Sequence, residues 1–354
     1  MRPGRSLKKL AIAATAHLLG LLALPWFRRA SSDAPRSILV VRVDERVGNV
    51  LLTTPLLSRL RASFTAAEIA VLVAASKVPL LEPGFQVIPF EKRWFFRDPL
   101  RFWRLIGGLR RARYDVVIDA SHWHSFSLSS ALLSASTLAP IRIAHDRGPT
   151  SRLASVRVPA PSGEEPETRT KQRLLEPLGL SPEGVPMSTA LGRSEAAQAL
   201  VHRALGGQRA LILAPGARKP DHRAPVELFR RAARLARARG ELAAVIWGPG
   251  EERLAEAVAT GTEAMVLPPT NLEEMAAFFR AATAVLANDT GPMHLAVACA
   301  APTIALFTME DASRWGHSEP PHAIVRGAAG PLEEVWARVE REVLARLTSK
   351  TARV

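Results

Sequence analysis

A single cysteine, Cys299, in a chain of 354 residues excludes an intramolecular disulfide framework and any zinc cage built from cysteines. One thiol is compatible with a reducing, cytosolic environment. Acidic residues are scarce beside basic ones, 33 Asp+Glu against 47 Lys+Arg, which leaves a formal net charge of +14. That imbalance favours an anionic partner: nucleic acid, membrane phospholipid or a phosphorylated substrate. The chain contains no GxGxxG and no GxxxxGKS/T, which argues against a dinucleotide fingerprint and against a P-loop. It has no short internal repeat either. Hydrophobic residues make up 47%, ample for a core, so a chain disordered throughout is excluded. The length suits two domains or one large α/β domain.

Long apolar runs are confined to the start. Lys8 and Lys9 precede a run from Leu10 to Phe27, broken by Thr15, His17 and Gly20 and closed by Arg28 and Arg29. Eighteen residues is the lower limit for a spanning helix, and Pro25-Trp26 stands where an interfacial anchor would. Three readings stay open: a membrane-associated or spanning anchor, an amphipathic helix docked on the protein, and a cleaved signal. Residues 1–35 are therefore set apart as an apolar and basic segment with its linker.

From Arg36 strands and helices alternate. Ile38–Val43, Ile69–Val73, Val116–Ile118 and Ile141–Ala144 read as strands, and Val50–Arg61 has helical spacing. Between Val158 and Pro186 the composition turns to Pro, Gly, Glu and Ser around one helical piece, Lys171–Leu178, which marks a domain junction. A second alternating unit follows, with strands at Ala210–Leu213, Leu242–Trp247, Val285–Ala287 and Thr303–Phe307. Its helices are Pro225–Arg239, one from Glu251, one at Leu272–Arg280 capped by Asn271 with Glu274, and one through Cys299. Leu332–Leu347 is a terminal amphipathic helix. The expected division is 36–185, 186–330 and a C-terminal helix over 331–354. Alternation of this kind means parallel sheets covered by helices, an α/β fold.

Ligands of such sheets bind beyond the carboxyl ends of the strands, and four loops there carry unusual residues. In Asp44-Glu45-Arg46-Val47-Gly48-Asn49, Gly48 permits a tight turn, and Asn49 either caps the helix or faces a substrate. The loop Pro215–Arg223 carries Arg218, Lys219, His222 and Arg223 before a helix, a phosphate site or a solvated basic loop. Gly248-Pro249-Gly250-Glu251-Glu252 offers carboxylates for ribose hydroxyls, or plain helix-start acids. The most specific is Asn288-Asp289-Thr290-Gly291-Pro292-Met293-His294. Thr290 and Gly291 present a hydroxyl and a backbone N–H at a helix start, suited to a diphosphate. Asp289 and His294 stand at the two ends of the turn, although His294 also reads as a core histidine.

These residues carry a family likeness. ILVVRVDERVGNVLLTTPLLSRLR, LILAPGAR with IWGPGEE, and NDTGPMHLAVACAAPTIALF resemble, in order, the motifs of glycosyltransferase family 9, the ADP-heptose:lipopolysaccharide heptosyltransferases. The resemblance implies a GT-B architecture, two Rossmann-like domains with parallel sheets facing a cleft, the acceptor in the first and the nucleotide sugar in the second. It implies an inverting, metal-independent transfer with no cofactor beyond the nucleotide-sugar donor. By position, Thr290, Gly291 and His294 would touch the diphosphate and sugar, Asp289 would share their turn, and Glu251 or Glu252 would sit by the ribose. Two departures stand out. Where the family commonly has Gly-Asp, with the Asp as general base, this chain has Gly48-Asn49, and a carboxamide has no useful basicity. Asp44 is the nearest carboxylate at the strand end. Where a Lys is usual before the helix-opening Pro225, the chain has His222, so Arg218, Lys219 or Arg223 would supply the charge.

The expected function is transfer of heptose or a related sugar from a nucleotide diphosphate to an anionic lipid-linked saccharide. The expected place is the cytoplasmic face of a bacterial inner membrane, peripheral or anchored by the first segment. The alternative is a catalytically degenerate GT-B protein that binds nucleotide sugar. Nucleic acid is not an expected partner. Arg93–Arg113 mixes five Trp and Phe with seven arginines and reads as a surface for phosphorylated headgroups or as a solvated basic face. His122-Trp123-His124 lacks a third metal ligand in the local sequence. Arg230–Arg239 reads as a solvated helix face, and Cys299 as a buried small hydrophobe.

Overall fold

The structure, a computed structural model, describes residues 34–348 apart from 162 and 310. The expected N-terminal anchor, Leu10–Phe27, lies outside the described residues. Among the described residues no helix is long and apolar enough to cross a membrane. The chain forms two compact units. One holds the described residues up to Glu45 together with Leu52–Val185; the other holds Arg46–Leu51 and the chain from Pro186 onward.

In chain order the first half runs β1 (Ser37–Arg42), α1 (Val47–Leu51), α2 (Thr54–Ser63), β2 (Glu68–Ala74), β3 (Gln86–Phe90), α3 (Trp94–Arg97) and α4 (Pro99–Arg111). Then come β4 (Val116–Asp119), α5 (Leu128–Ser136), β5 (Ile141–His145), β6 (Val156–Val158) and α6 (Glu167–Gln172). The second half runs α7 (Glu195–Leu205), β7 (Ala210–Ala214), α8 (Val226–Ala238), β8 (Leu242–Val245), α9 (Glu252–Ala259), β9 (Met265–Val266) and α10 (Leu272–Ala281). It closes with β10 (Ala282–Asn288), α11 (Gly291–Ala298), β11 (Thr303–Phe307), α12 (Ala312–Trp315), β12 (Ala323–Arg326) and α13 (Leu332–Thr348).

Each unit contains one parallel six-stranded sheet, in the orders β3-β2-β1-β4-β5-β6 and β12-β11-β10-β7-β8-β9. Counted from the first strand of each unit, both orders are 3-2-1-4-5-6, the Rossmann arrangement. The order reverses between β1 and β4 in one sheet and between β7 and β10 in the other, and these switch points open a crevice at the strand ends. Inner strands are buried on both faces: Ile38, Leu39, Val40 and Val41 are wholly inaccessible, as are Leu211, Ile212 and Leu213. Such strands need continuous apolar runs rather than alternation.

α8 shows how the helices cover the sheet. Leu228, Phe229, Ala232, Ala233 and Ala236 form its buried stripe, each large side chain contributing about 1.5–3 kcal/mol by leaving water. Its arginines face out, Arg231 to Glu333 and Arg234 to Glu227, the solvated face expected. α13 packs Val335, Val339, Val343 and Leu347 into the same core, so this C-terminal helix is part of the second unit. The Asn271 capping box on α10 is present as expected.

Three expectations need correction. Val50–Arg61 is not one helix: α1 ends at Leu51 and α2 starts at Thr54, with Pro55 opening it. The helix expected from Glu251 starts at Glu252, with Glu251 at the N-cap position and its side chain making no cap hydrogen bond. The helical piece expected at Lys171–Leu178 is α6 followed by a 3-10 segment, Arg173–Leu178, and Glu167, Thr170 and Lys171 on α6 are wholly buried in the first unit.

Candidate active site

The switch point of the second sheet gathers the residues that the sequence singled out in this unit, Glu252 excepted. The loop after β7 carries Arg218 and Lys219 on the surface, and a 3-10 turn, Pro220–His222, aims His222 at Asp289 in the loop after β10. His222 Nδ1 lies 3.3 Å from Asp289 Oδ2. Burial raises the Asp289 pKa, and His222 and Lys219 oppose that shift. Asn288 holds the two loops in register: its Nδ2 donates to Pro215 O at 2.7 Å, and its Oδ1 accepts from Ala224 N at 3.1 Å. It is fully buried, so both ends of the amide are satisfied. That clamping role was not read from the sequence, where Asn288 stood only as the first letter of a motif.

Glu251 is folded into the same cluster. Its carboxylate accepts from Gly248 N at 3.2 Å and meets Arg223 at 3.5 Å, while Arg223 Nε donates to Ala217 O. A Cβ at residue 216 would lie 2.0 Å from Glu251 Oε2, so Gly216 is the gap that admits the carboxylate. Glu252 is exposed at the start of α9 and joins none of this.

Thr290 is the N-cap of α11 and Gly291 its first residue, and the Thr290 hydroxyl donates to Asn288 O at 3.2 Å. His294, one turn in, is buried, and its Nδ1 lies 3.0 Å from His317 Nε2. Burial pushes His294 down to about 4, and His317 is also held well below its usual value, so the pair is neutral at pH 7. α11 packs on α1 within the second unit, and the approach is close: a Cβ on Gly48 would lie 2.5 Å from His294 Cδ2. Gly48 is thus required by the His294 ring and not by the tight turn expected of it, since it lies inside α1 and its φ is not positive. Asn49, beside it on α1, is buried.

The first unit has its own cluster at the ends of β1 and β4. Asp44, partly exposed, lies 3.8 Å from buried Arg42. Arg42 Nη1 donates to Ala120 O at 2.9 Å, and its Nη2 lies 2.8 Å from His122 Nε2. Arginine has only donors, so His122 Nε2 accepts and Nδ1–H faces Glu167, its other partner. Lys171 Nζ donates to Ala120 O at 2.9 Å and stands 3.4 Å from Glu167. Burial lowers Lys171 to about 7 and His122 to about 3. Glu167 supplies the third group that the local sequence lacked, since one ligand atom each of His122, His124 and Glu167 lie within 4.8 Å of one another. Arg42 and Lys171 already compensate that carboxylate, and Arg42 and Glu167 take the two His122 nitrogens, which makes the cluster an ion-pair network.

Two Rossmann-order sheets, the second with cationic and acidic loops at its switch point, give an α/β scaffold of the GT-B type. The family model of glycosyltransferase family 9 (heptosyltransferase) matches residues 102–338, and the chain belongs to that family. It is a glycosyltransferase. The match begins beyond the loop of Asp44 and Asn49. Lipopolysaccharide heptosyltransferase 3 of Escherichia coli is 25% identical over 314 residues, 83% of this chain and 90% of that protein. A family 9 glycosyltransferase from Veillonella parvula superposes with a TM-score of 0.73 at 17% identity, covering 88% of this chain and 97% of that one. The E. coli heptosyltransferase WaaC with ADP gives 0.69 at 23% identity, covering 86% and 99%. These two likenesses concern the fold.

Proposed function

We propose that the protein transfers heptose, or a related sugar, from ADP-heptose or a similar nucleotide sugar to a lipopolysaccharide-core or other lipid-linked saccharide. The observation that carries this reading is the convergence of His222, Asp289 and the Thr290-Gly291 helix start on one switch point, beside Arg218 and Lys219. Breaking its bond to the sugar leaves the departing diphosphate with one negative charge more than its ester, and cations with a helix N-terminus stabilise it without a metal. In this reading Glu251 meets the ribose, neutral His294 gives one hydrogen bond to the diphosphate–sugar portion, and the acceptor belongs to the first unit. Asp44 takes the acceptor proton while Asn49 positions the hydroxyl. The enzyme works peripherally at the cytoplasmic face of the inner membrane, where such an acceptor is made. E. coli WaaC, solved with ADP and with ADP-2-deoxy-2-fluoro heptose, supports the choice of nucleotide.

Titration of ADP-heptose into wild type and Arg218→Met/Lys219→Met tests the donor half. Both side chains are exposed, so the fold is unaffected. Loss of charge-assisted hydrogen bonds is expected to weaken binding by about tenfold or more. Equal affinities would remove the diphosphate from this loop. Binding without transfer to any acceptor would favour the degenerate alternative that Asn49 suggests.

A further inference from the structure

The first unit carries an apolar groove remote in sequence from the loops above. It encloses about 1000 Å³ between α3, α4 and α5, lined by Phe90, Phe95, Phe102, Trp103, Leu128 and Leu132 among others. Its rim leaves large apolar side chains in water: Phe96 is 82% exposed, Leu100 69%, Trp103 63% and Phe95 53%. Phe95 makes edge contacts with Phe96 and Phe102, and Phe102 with Trp103, so the rings form one continuous patch. A patch of this kind marks an interaction surface.

The charges around it choose the partner. From 92 to 113 the chain has eight Lys and Arg and one acid, Asp98. Asp98 is consumed in capping α4, accepting from Arg101 N at 3.1 Å. On α4, Leu100, Trp103, Arg104, Gly107 and Arg111 follow helical spacing along one face, apolar at its start and basic at its end. Arg97 and Arg104 are exposed and have no side-chain partner among the described residues. Trp103 and the phenylalanines beside arginines are the composition of an element lying in a membrane interface, rings among acyl chains and guanidinium groups among phosphates.

We infer that this face, α3 and α4 with the groove against α5, docks on an anionic phospholipid bilayer, taking acyl chains between the rings and lipid phosphates on Lys92, Arg97 and Arg104. It gives the proposed function, on whose lipid-linked acceptor it rests for its purpose, a physical place. Each basic side chain near an anionic surface strengthens binding about fivefold, and the rings supply the part that salt does not screen.

The test labels the full chain at Phe96→Cys with an environment-sensitive fluorophore. Cys299 is buried with its thiol pushed up to about 12, so it does not compete for the label. Vesicles of equal parts phosphatidylcholine and phosphatidylglycerol should shift the emission to the blue, and a label at Gln208→Cys in the second unit should not respond. Arg97→Ser/Arg104→Ser should raise the lipid concentration needed by about tenfold or more. The inference is overturned if the protein sediments with vesicles while the Phe96 probe stays silent. That result would place the contact elsewhere, the first segment included, and leave the groove for a protein. An equal response to pure phosphatidylcholine, or no binding at all, overturns it too. Because lipid binding is read without turnover, failure here and failure of the proposed reaction are distinguishable.

Discussion

Asp44→Asn is expected to lower turnover by about 100-fold or more, the scale of losing a general base, with donor affinity nearly unchanged. Some group must accept the acceptor proton, and the amide of Asn49 cannot. Asp44 stands at the end of β1, at the switch point of its sheet, with its carboxylate partly exposed. The competing account makes Asp44 only a counter-charge for buried Arg42. Asn has nearly the same shape, and Arg42 keeps Ala120 O, His122 and the attraction of Glu167 and Asp119. The base account therefore predicts a melting temperature within a few degrees of wild type. The counter-charge account predicts a lower melting temperature and full turnover of the folded fraction. Measuring both on one preparation separates them. Asn49→Asp, which restores the common family residue, should retain activity or raise it.

Gly48→Ala should act on stability and donor binding together. Its methyl would sit 2.5 Å from His294 Cδ2, and that ring is buried and tied to His317, so one of the two helices must yield. Overpacking of this kind costs roughly 1–3 kcal/mol, and a displaced His294 should weaken the nucleotide sugar by about tenfold. The double variant Gly48→Ala/His294→Ala removes the clash. Its melting temperature should recover toward that of His294→Ala, while donor affinity stays at the level of His294→Ala. Recovery of both would mean that His294 only fills space. Additive losses would mean that the two residues do not meet.

The strands that the sequence reveals are the ones buried on both faces. Ile38–Val43 or Thr303–Phe307 must be apolar throughout to lie between two layers of helices. The four strands it does not reveal, β3, β6, β9 and β12, are the edges of the two sheets. They are short and only partly covered; Gln86–Phe90 contains a proline, and Met265–Val266 has two residues. The candidate site divides in a similar way. Loops at strand ends announce themselves through local composition, so Arg218, Lys219, His222, Glu251 and Asp289 could be read one loop at a time. What depends on two distant segments could not: the Asn288 clamp on Pro215 and Ala224, the ring of His294 against Gly48, and Glu167 reaching His122. Lys171 shows the limit most plainly. Nothing in its polar stretch marks it out, and only the fold reveals that it is wholly buried 3.4 Å from Glu167.

Incubating the full-length protein with ADP-heptose and a heptose-deficient lipopolysaccharide core, and weighing the acceptor by mass spectrometry, tests the proposed reaction most directly. The account predicts an acceptor heavier by one heptose residue, ADP released in equal amount, and an inverted anomeric linkage. Donor bound at the Asp289–His294 turn with no mass gained by any lipid-linked acceptor would contradict it.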